Sequence, residues 1–214
     1  MEAKKRSLIE LIIVATLFLT VREIFKNLEI KYSSQIALAV SLLVITFILN
    51  KNAITWRDLG FRRPDHLGKA ILLTVLCIVT IGVTFNFIVA PLFPEGANEI
   101  NGGGTISFYE MLFQVIVIAV GAAAIGEELL FRGFLLNWLN KITGKNTIGT
   151  TMAVIFQALI FALLHRGMQG IVSAGIIGVI LAIFYLLSNR NLIVVMAAHA
   201  VPDLLSVISS YQNQ

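Results

Sequence analysis

The chain consists of long apolar stretches that very few charged residues interrupt. A helix needs about 20 predominantly apolar residues to cross the ~30 Å hydrocarbon layer of a membrane, and stretches near this length recur along the sequence. Only 13% of the residues are charged and 57% are hydrophobic, whereas a soluble domain carries about 25% charged residues. These features predict an all-α fold, a polytopic transmembrane helical bundle.

The apolar stretches predict about seven membrane helices. No polar block between them is long enough for a soluble domain, so residues 1–214 are predicted to form a single membrane domain. The fourth stretch is too long for one straight crossing, and we expect it to tilt or to kink near Arg132 and Gly133. The predicted spans are Ser7–Phe25, Ser34–Leu49, Lys69–Phe93, Phe108–Leu139, Thr147–His165, Gly170–Leu187 and Leu192–Ile208.

Basic residues cluster in alternate loops, which predicts the orientation of the chain in the membrane. The predicted outer loop after the third span carries Glu95 and Glu99 and no basic residue. Because Lys and Arg are enriched in cytoplasmic loops, we expect the N-terminus in the cytoplasm and the C-terminus outside. The net charge of +4 follows from these loops and does not indicate nucleic-acid binding. The basic residues assigned to the cytoplasmic side are Lys4, Lys5, Arg6, Lys51, Arg57, Arg62, Arg63, Lys69, Lys141, Lys145 and Arg190.

Six polar residues stand inside or at the ends of the predicted membrane helices. A charged side chain at the centre of a membrane helix costs about 2.5–3.5 kcal/mol, so several unpaired ones would strongly disfavour insertion. We therefore expect these side chains to meet in one intramembrane polar site. They are Glu127, Glu128, Arg132, His165, His199 and Asp203.

The first cluster is a pair of adjacent glutamates followed by an arginine. Glu128 and Arg132 are four residues apart, so on an α-helix they share one face and can form an ion pair. Glu127 is rotated by about 100° from Glu128 and has no such partner nearby in the sequence. A desolvated, unpaired carboxylate accepts a proton more readily, as a general base must. The spacing therefore predicts Glu127 as a base, with a simple ion cluster at the membrane edge as the alternative.

The two other clusters each contain a histidine. Phe161 precedes His165 by four residues, so its ring is placed to hold the imidazole. His199 and Asp203 have the same spacing, which lets the carboxylate orient or charge the imidazole, or share a ligand with it. Pro202 removes a backbone hydrogen bond beside His199, and such irregular backbone is tolerated in a membrane where it lines a buried cavity.

Two glutamates, two histidines and an aspartate suit two kinds of hydrolytic site. In one, His165, His199 and Glu127 are candidate ligands of a divalent metal such as zinc. In the other, the same residues supply a base and a group that stabilises an oxyanion without a metal. In both, Glu127 would activate a water molecule for attack on a carbonyl carbon, and hydrolysis of a peptide bond is the natural reaction. The sequence contains no phosphate-binding loop and no other cofactor motif.

In order and spacing, the three clusters resemble the CAAX protease and bacteriocin-processing (CPBP) family of intramembrane proteases, also called the Abi family. The family pattern is two adjacent glutamates with an arginine four residues after the second, then Phe-xxx-His, then His-xxx-Asn or His-xxx-Asp. The stretch from about Gly126 to Ser206 is similar to the family throughout. The segment Trp56–Pro64 is similar to the basic loop that precedes the third span in the family.

The resemblance implies an intramembrane endopeptidase, of metallo- or glutamate type, with a catalytic core over about residues 108–210. It implies that Glu127 activates the water and that the site is completed by Glu128, Arg132, His165, His199 and Asp203. Eukaryotic relatives, the type II CAAX prenyl endopeptidases, remove the last three residues of prenylated proteins. Bacterial relatives are linked to bacteriocin maturation, self-immunity and peptide processing. Asp203 stands where the prenyl-protein enzymes have asparagine, and an ionised aspartate cannot donate to an oxyanion.

The expected partners are a membrane-associated peptide or protein substrate and the lipid bilayer, with no nucleic acid. The expected location is a multi-pass position in a bacterial cytoplasmic membrane. A non-enzymatic scaffold or immunity protein that keeps the protease fold is one alternative, and its function should survive Glu127→Gln. A proton-coupled transporter is another, because intramembrane carboxylates and histidines also mark proton paths. Transporters often show internal repeats, and this sequence has none.

Overall fold

The computed structural model describes residues 2–94 and 107–212, and these residues form seven helices and no strand. The predicted all-α fold is therefore confirmed. Glu95 and Glu99, which the charge pattern assigns to an acidic outer loop, lie outside the described residues. In chain order the helices are α1 (Glu2–Asn27), α2 (Ser33–Lys51), α3 (Leu67–Leu92), α4 (Phe108–Thr143), α5 (Thr147–Leu163), α6 (Gly167–Leu187) and α7 (Leu192–Gln212).

Five of these helices, α2, α3, α4, α6 and α7, are long and apolar enough to cross a membrane. Helix α5 is also apolar but has only 17 residues. Helix α1 has 26 residues and carries charged side chains toward both ends, including Glu10 and Arg22. The chain is therefore an integral membrane protein with a polytopic helical bundle, as its sequence predicts.

Helix α4 runs over 36 residues, and much of its backbone is wound as a π-helix. The π-helical stretches are Gln114–Glu127 and Leu129–Leu135, in which hydrogen bonds join residues five apart instead of four. Because this winding places more residues in each turn, α4 is shorter than an α-helix with the same number of residues. The predicted kink near Arg132 and Gly133 falls inside the second stretch. The two adjacent glutamates lie at the junction of the stretches, and π-helical turns are frequent at functional sites.

Helices α5 and α6 pack closely because small residues recur at every fourth position of α6. Ala174, Gly178 and Ala182 are buried. A Cβ added at Gly178 would lie 3.2 Å from both the Cα and the Cβ of Ala158 on α5. Real Cβ contacts are rarely this short, so the two backbones are closer here than most side chains would allow.

The loop between α2 and α3 docks on the turn between α6 and α7. The backbone N–H of Leu192 donates to the carbonyl of Gly60 at 2.9 Å, and the hydroxyl of Tyr185 donates to the carbonyl of Leu59 at 2.7 Å. Gly60 has a φ of +102°, and a Cβ at this position would collide with the carbonyl oxygen of Arg190. The contact therefore requires glycine, and it joins the first three helices to the last two at the predicted cytoplasmic end.

Glu10 attaches α1 to the bundle at the same end. Trp138 of α4 donates its indole N–H to Oε2 of Glu10 at 2.6 Å. Asn52, which follows the end of α2, donates to Oε1 at 2.9 Å, and Arg6 pairs with the same oxygen at 3.1 Å. One carboxylate thus ties α1 to both α2 and α4, and α1 forms one wall of the cavity described below.

Candidate active site

Glu128 lies at the centre of the buried polar site. Its side chain is fully buried, and its Oε1 accepts hydrogen bonds from Arg132 at 2.7 Å and from Nδ1 of His199 at 2.8 Å. The pairing with Arg132 agrees with the four-residue spacing. The bond to His199 joins α4 to α7. Because an ionised carboxylate only accepts hydrogen bonds, Nδ1 of His199 carries a hydrogen.

Arg132 is fully buried and contacts three helices. Besides its bond to Glu128 within α4, it donates through its second terminal nitrogen to the carbonyl of Gly178 on α6, at 3.3 Å. Its guanidinium carbon lies 5.0 Å from the centre of the Phe161 ring on α5, a distance typical of a cation–π contact. Because a buried charge needs partners of this kind, the arginine fixes the relative positions of the helices around it.

His199 presents its other nitrogen, Nε2, toward Asp203. The distance from Nε2 to Oδ2 of Asp203 is 3.7 Å, which is within ion-pair range but longer than a hydrogen bond. Pro202 lies between the two residues inside α7. The side chain of Asp203 is 35% exposed whereas that of His199 is 9% exposed, so Asp203 lies at the edge of the site. Glu128 therefore makes the hydrogen bond that orients His199, and Asp203 is the more distant carboxylate.

His165 lies in the turn that follows α5. That helix ends at Leu163, two residues before the end of the predicted span. Nδ1 of His165 is 2.9 Å from the carbonyl oxygen of Phe161; since a carbonyl only accepts, Nδ1 carries a hydrogen and Nε2 is an acceptor in the neutral ring. The Phe161 ring packs edge-on against His165 and His199, with ring centres 4.7 and 6.4 Å apart. These contacts agree with the predicted role of Phe161 as a support for the imidazole.

Glu127 and His165 line one cavity of about 100 Å³, which is large enough for a few water molecules. In the part of the chain that the structure describes, the Glu127 carboxylate has no hydrogen-bond partner. His199 and Asp203 are close enough to Glu127 for an electrostatic interaction. Asp203 is likewise close enough to His165. The adjacent glutamates therefore have different surroundings: Glu128 is bound to two partners, and Glu127 lies on a cavity.

The structure adds residues that sequence reasoning did not assign to the site. Arg22, Ser34 and Gln35 reach the cavity of Glu127 from α1 and α2, and no local motif connects them with the glutamates. Gln157 on α5 is fully buried, and neither polar atom of its amide has a partner in the described residues. Its only sequence signal is its place one turn before Phe161, on the same helix face.

The described side chains do not form a three-ligand metal site. Within residues 2–94 and 107–212, no group of three histidine, cysteine, aspartate or glutamate side chains is arranged to hold an ion. Both histidines use Nδ1 for a hydrogen bond within the protein, to Glu128 and to the carbonyl of Phe161, so only Nε2 of each ring could bind a metal. A metal shared by Glu127, His165 and His199 therefore stays a prediction of the sequence.

Comparison with known proteins finds one family that part of the chain resembles. The model of the family described as type II CAAX prenyl endopeptidase Rce1-like matches residues 109–205. This range contains every candidate site residue from Glu127 to Asp203. Residues 109–205 are therefore similar to this family, which supports the predicted resemblance to the CAAX/CPBP intramembrane proteases. No curated protein and no solved structure matches the chain.

Proposed function

We propose that this protein is an intramembrane endopeptidase that hydrolyses a peptide bond of a membrane-associated protein or peptide. The observation that carries this proposal is the contrast between the two adjacent glutamates. Glu128 is fully buried and bound by Arg132 and His199. Glu127 lines a cavity with His165 and has no hydrogen-bond partner within the described residues. A hydrolase that uses a carboxylate as its general base needs one that is available in this way to take a proton from water.

In the proposed reaction, Glu127 takes a proton from a water molecule in the cavity while the water oxygen attacks the carbonyl carbon. A tetrahedral intermediate forms, in which the former carbonyl oxygen is negatively charged and the C–N bond is still intact. The proton then passes to the leaving nitrogen, directly or through Nε2 of His165, and the C–N bond breaks. The products are a carboxylic acid and an amine, so the reaction consumes only water and the substrate.

We assign to His199 the role of stabilising the oxyanion, the negatively charged oxygen of the intermediate. Its ring is held by Glu128 through Nδ1, which leaves Nε2 available for the substrate. When the ring is protonated, the Nε2–H group can donate to the oxygen that becomes negatively charged. Asp203, 3.7 Å from Nε2, would stabilise the positive charge of the ring. In this assignment Arg132 acts through Glu128, as a positioning residue.

Metal dependence is a separate question with its own measurement. The metal-free mechanism is the one that the placed side chains support, because they do not form a three-ligand group in the described ranges. The protein should be purified without added metal, and its zinc content and peptide hydrolysis should be measured before and after treatment with a chelator. Activity that survives the chelator supports the glutamate mechanism, whereas stoichiometric metal and loss of activity would support the metalloprotease prediction.

We also propose that the protein resides in a bacterial cytoplasmic membrane with its N-terminus in the cytoplasm. The distribution of basic residues supports this orientation, which would put His165 toward the outer end of α5. The single native cysteine, Cys77, is buried, so a cysteine introduced at Lys4 can be labelled selectively. Labelling of that position only after permeabilisation of the cells is the expected result. Labelling of intact cells would reverse the proposed topology.

The function is tested by comparing cells that express wild type, Glu127→Gln and a control, Glu23→Gln, at matched levels. Glu23 is an exposed carboxylate that pairs with Lys26 on α1, so its replacement leaves the site intact. Mass spectrometry of membranes and secretions should find new peptide N-termini with wild type and the control and none with Glu127→Gln. Identical peptide maps with a retained cellular phenotype would indicate a scaffold or immunity role. Identical maps with a phenotype lost in Glu127→Gln would leave transport, or a substrate that is absent from the test cells.

A further inference from the structure

Gln157 is a buried amide that the proposed reaction does not use. It is fully buried on α5, and within the described residues neither its Nε2 nor its Oε1 has a hydrogen-bond partner. A buried amide left without partners destabilises a protein, and most such groups are hydrogen-bonded to protein or to an internal water. We therefore expect the Gln157 amide to hydrogen-bond to a small polar molecule inside the helical bundle.

Two sets of contacts bring the part of α5 that carries Gln157 close to the guanidinium group of Arg132. Gln157 lies one turn before Phe161 on the same face of α5, and the Phe161 ring is 5.0 Å from the guanidinium carbon. The next residue, Ala158, packs against Gly178, where an added Cβ would lie 3.2 Å away. The carbonyl of Gly178 accepts a hydrogen bond from Arg132 at 3.3 Å.

The Glu128–Arg132 pair has open hydrogen-bonding positions that complement the amide. Oε2 of Glu128 and Nε of Arg132 are buried and have no partner in the described part of the chain. Oε2 accepts, Nε–H donates, and the amide of Gln157 does both. One water among the three can accept from Arg132 and from Gln157 Nε2, and can donate to Glu128 Oε2 and to Gln157 Oε1. These are the two to four hydrogen bonds that a buried water makes.

We propose that Gln157, Glu128 and Arg132 together bind one internal water molecule, and that Gln157 is a positioning residue of the active site. The inference rests on the proposed function, because Gln157 acts only through the Glu128–Arg132 pair. The water ties α5, which leads to His165, to α4, which carries both glutamates. It also holds Glu128 in place, and Glu128 holds the imidazole of His199.

Two variants distinguish water binding from packing. Gln157→Met keeps the volume and removes both polar atoms, whereas Gln157→Asn keeps both polar atoms and shortens the side chain. Water binding predicts that kcat falls roughly tenfold or more in Gln157→Met with little change in KM, because Glu128 and Arg132 lose a partner. Gln157→Asn should recover part of that loss. A packing role predicts the reverse order, since volume-conserving changes are tolerated best.

The control variant is Leu159→Met, an exposed position on the same helix, which should match wild type in Tm and kcat. Gln157→Met should unfold several degrees below wild type. A Met variant that is as stable and as active as wild type, or that exceeds the Asn variant in kcat, overturns the inference.

A direct measurement separates this inference from the proposed function. An experimental structure that resolves ordered waters should show one within hydrogen-bond distance of the Gln157 amide and of Glu128 or Arg132. A direct bond from Gln157 to either residue, with no water between them, overturns the inference. If wild type cleaves no peptide, the proposed function fails, and the water position and the Tm of Gln157→Met still decide whether the water site exists.

Discussion

Glu128 and His199 are 71 residues apart in the sequence, and their side chains meet at 2.8 Å in the interior of the bundle. The same oxygen of Glu128 also accepts a hydrogen bond from Arg132. One carboxylate therefore neutralises a buried arginine and orients a buried histidine. Its neighbour Glu127 has neither task, so the two glutamates should respond differently to the same substitution.

Glu128→Gln should destabilise the protein strongly, whereas Glu127→Gln should not. Loss of the charge at Glu128 leaves Arg132 buried without a counter-charge, which costs about 3–5 kcal/mol. Glu127 has no hydrogen bond to lose in the described residues, so its replacement should change the free energy of unfolding by less than about 1 kcal/mol. Thermal unfolding of both variants in the same detergent measures the difference. Equal Tm values would show that the buried ion pair contributes little.

Arg132→Lys should lower both stability and kcat although it keeps the positive charge. A lysine has one terminal nitrogen and no planar face, so it cannot bind Glu128, the carbonyl of Gly178 and the Phe161 ring together. Loss of one charged hydrogen bond and one ring contact costs about 2–3 kcal/mol. Thermal unfolding and peptide hydrolysis of Arg132→Lys should be compared with those of Lys145→Arg, which is the reverse substitution at an exposed position. Wild-type kcat in Arg132→Lys would show that charge alone is sufficient.

Gly178→Ala should destabilise the contact between α5 and α6. The added methyl group would lie 3.2 Å from Ala158 and 3.3 Å from the Phe161 ring, and relief of such overpacking costs about 1–3 kcal/mol. Gly82→Ala is the matched control, because a Cβ at that helical position has no atom within 4 Å and should stabilise α3 by up to about 1 kcal/mol. Opposite shifts in Tm are expected. A shift of the same sign in both variants would contradict close packing at Gly178.

Asp203→Asn should leave stability nearly unchanged and retain activity. Asp203 is partly exposed and lies 3.7 Å from Nε2 of His199, too far for a hydrogen bond, so its replacement should change the free energy of unfolding by less than about 1 kcal/mol. An asparagine amide can donate a hydrogen bond to an oxyanion, which the carboxylate cannot do. We therefore expect kcat/KM within about tenfold of wild type, a difference of about 1.4 kcal/mol in transition-state stabilisation. Abolished hydrolysis in a folded variant would mean that the carboxylate itself is required.

The pairings that could be predicted from the sequence are those within one helix or at its end. Glu128 with Arg132 and His199 with Asp203 are each one turn apart, and this spacing alone indicates their contact. The bond between Glu128 and His199 depends on how α4 packs against α7. Apolar periodicity identifies helices but not their neighbours, so this central contact could not be predicted.

The seven helices of the described residues were predictable from hydropathy, but only five of the seven predicted membrane spans are long and apolar enough by these measures. The winding of α4 was not predictable, because hydropathy does not distinguish α-helical from π-helical hydrogen bonding. The end of α5 was also misplaced: the predicted span reaches His165, and the helix ends at Leu163. Gly167, with a φ of +69°, starts α6 directly afterwards, so the histidine lies in a tight turn rather than on a helix face.

At the predicted cytoplasmic end, two residues of the segment that matches the family are held by hydrogen bonds to residues outside that segment. Trp138 and Tyr185 lie inside the segment that matches the family, residues 109–205. Their hydrogen-bond acceptors, Glu10 and the carbonyl of Leu59, lie outside it. The segment that matches the family is thus shorter than the set of residues that packs together in the bundle. A fragment trimmed to the signature would keep every residue of the proposed chemistry and lose the partners that hold its helices together.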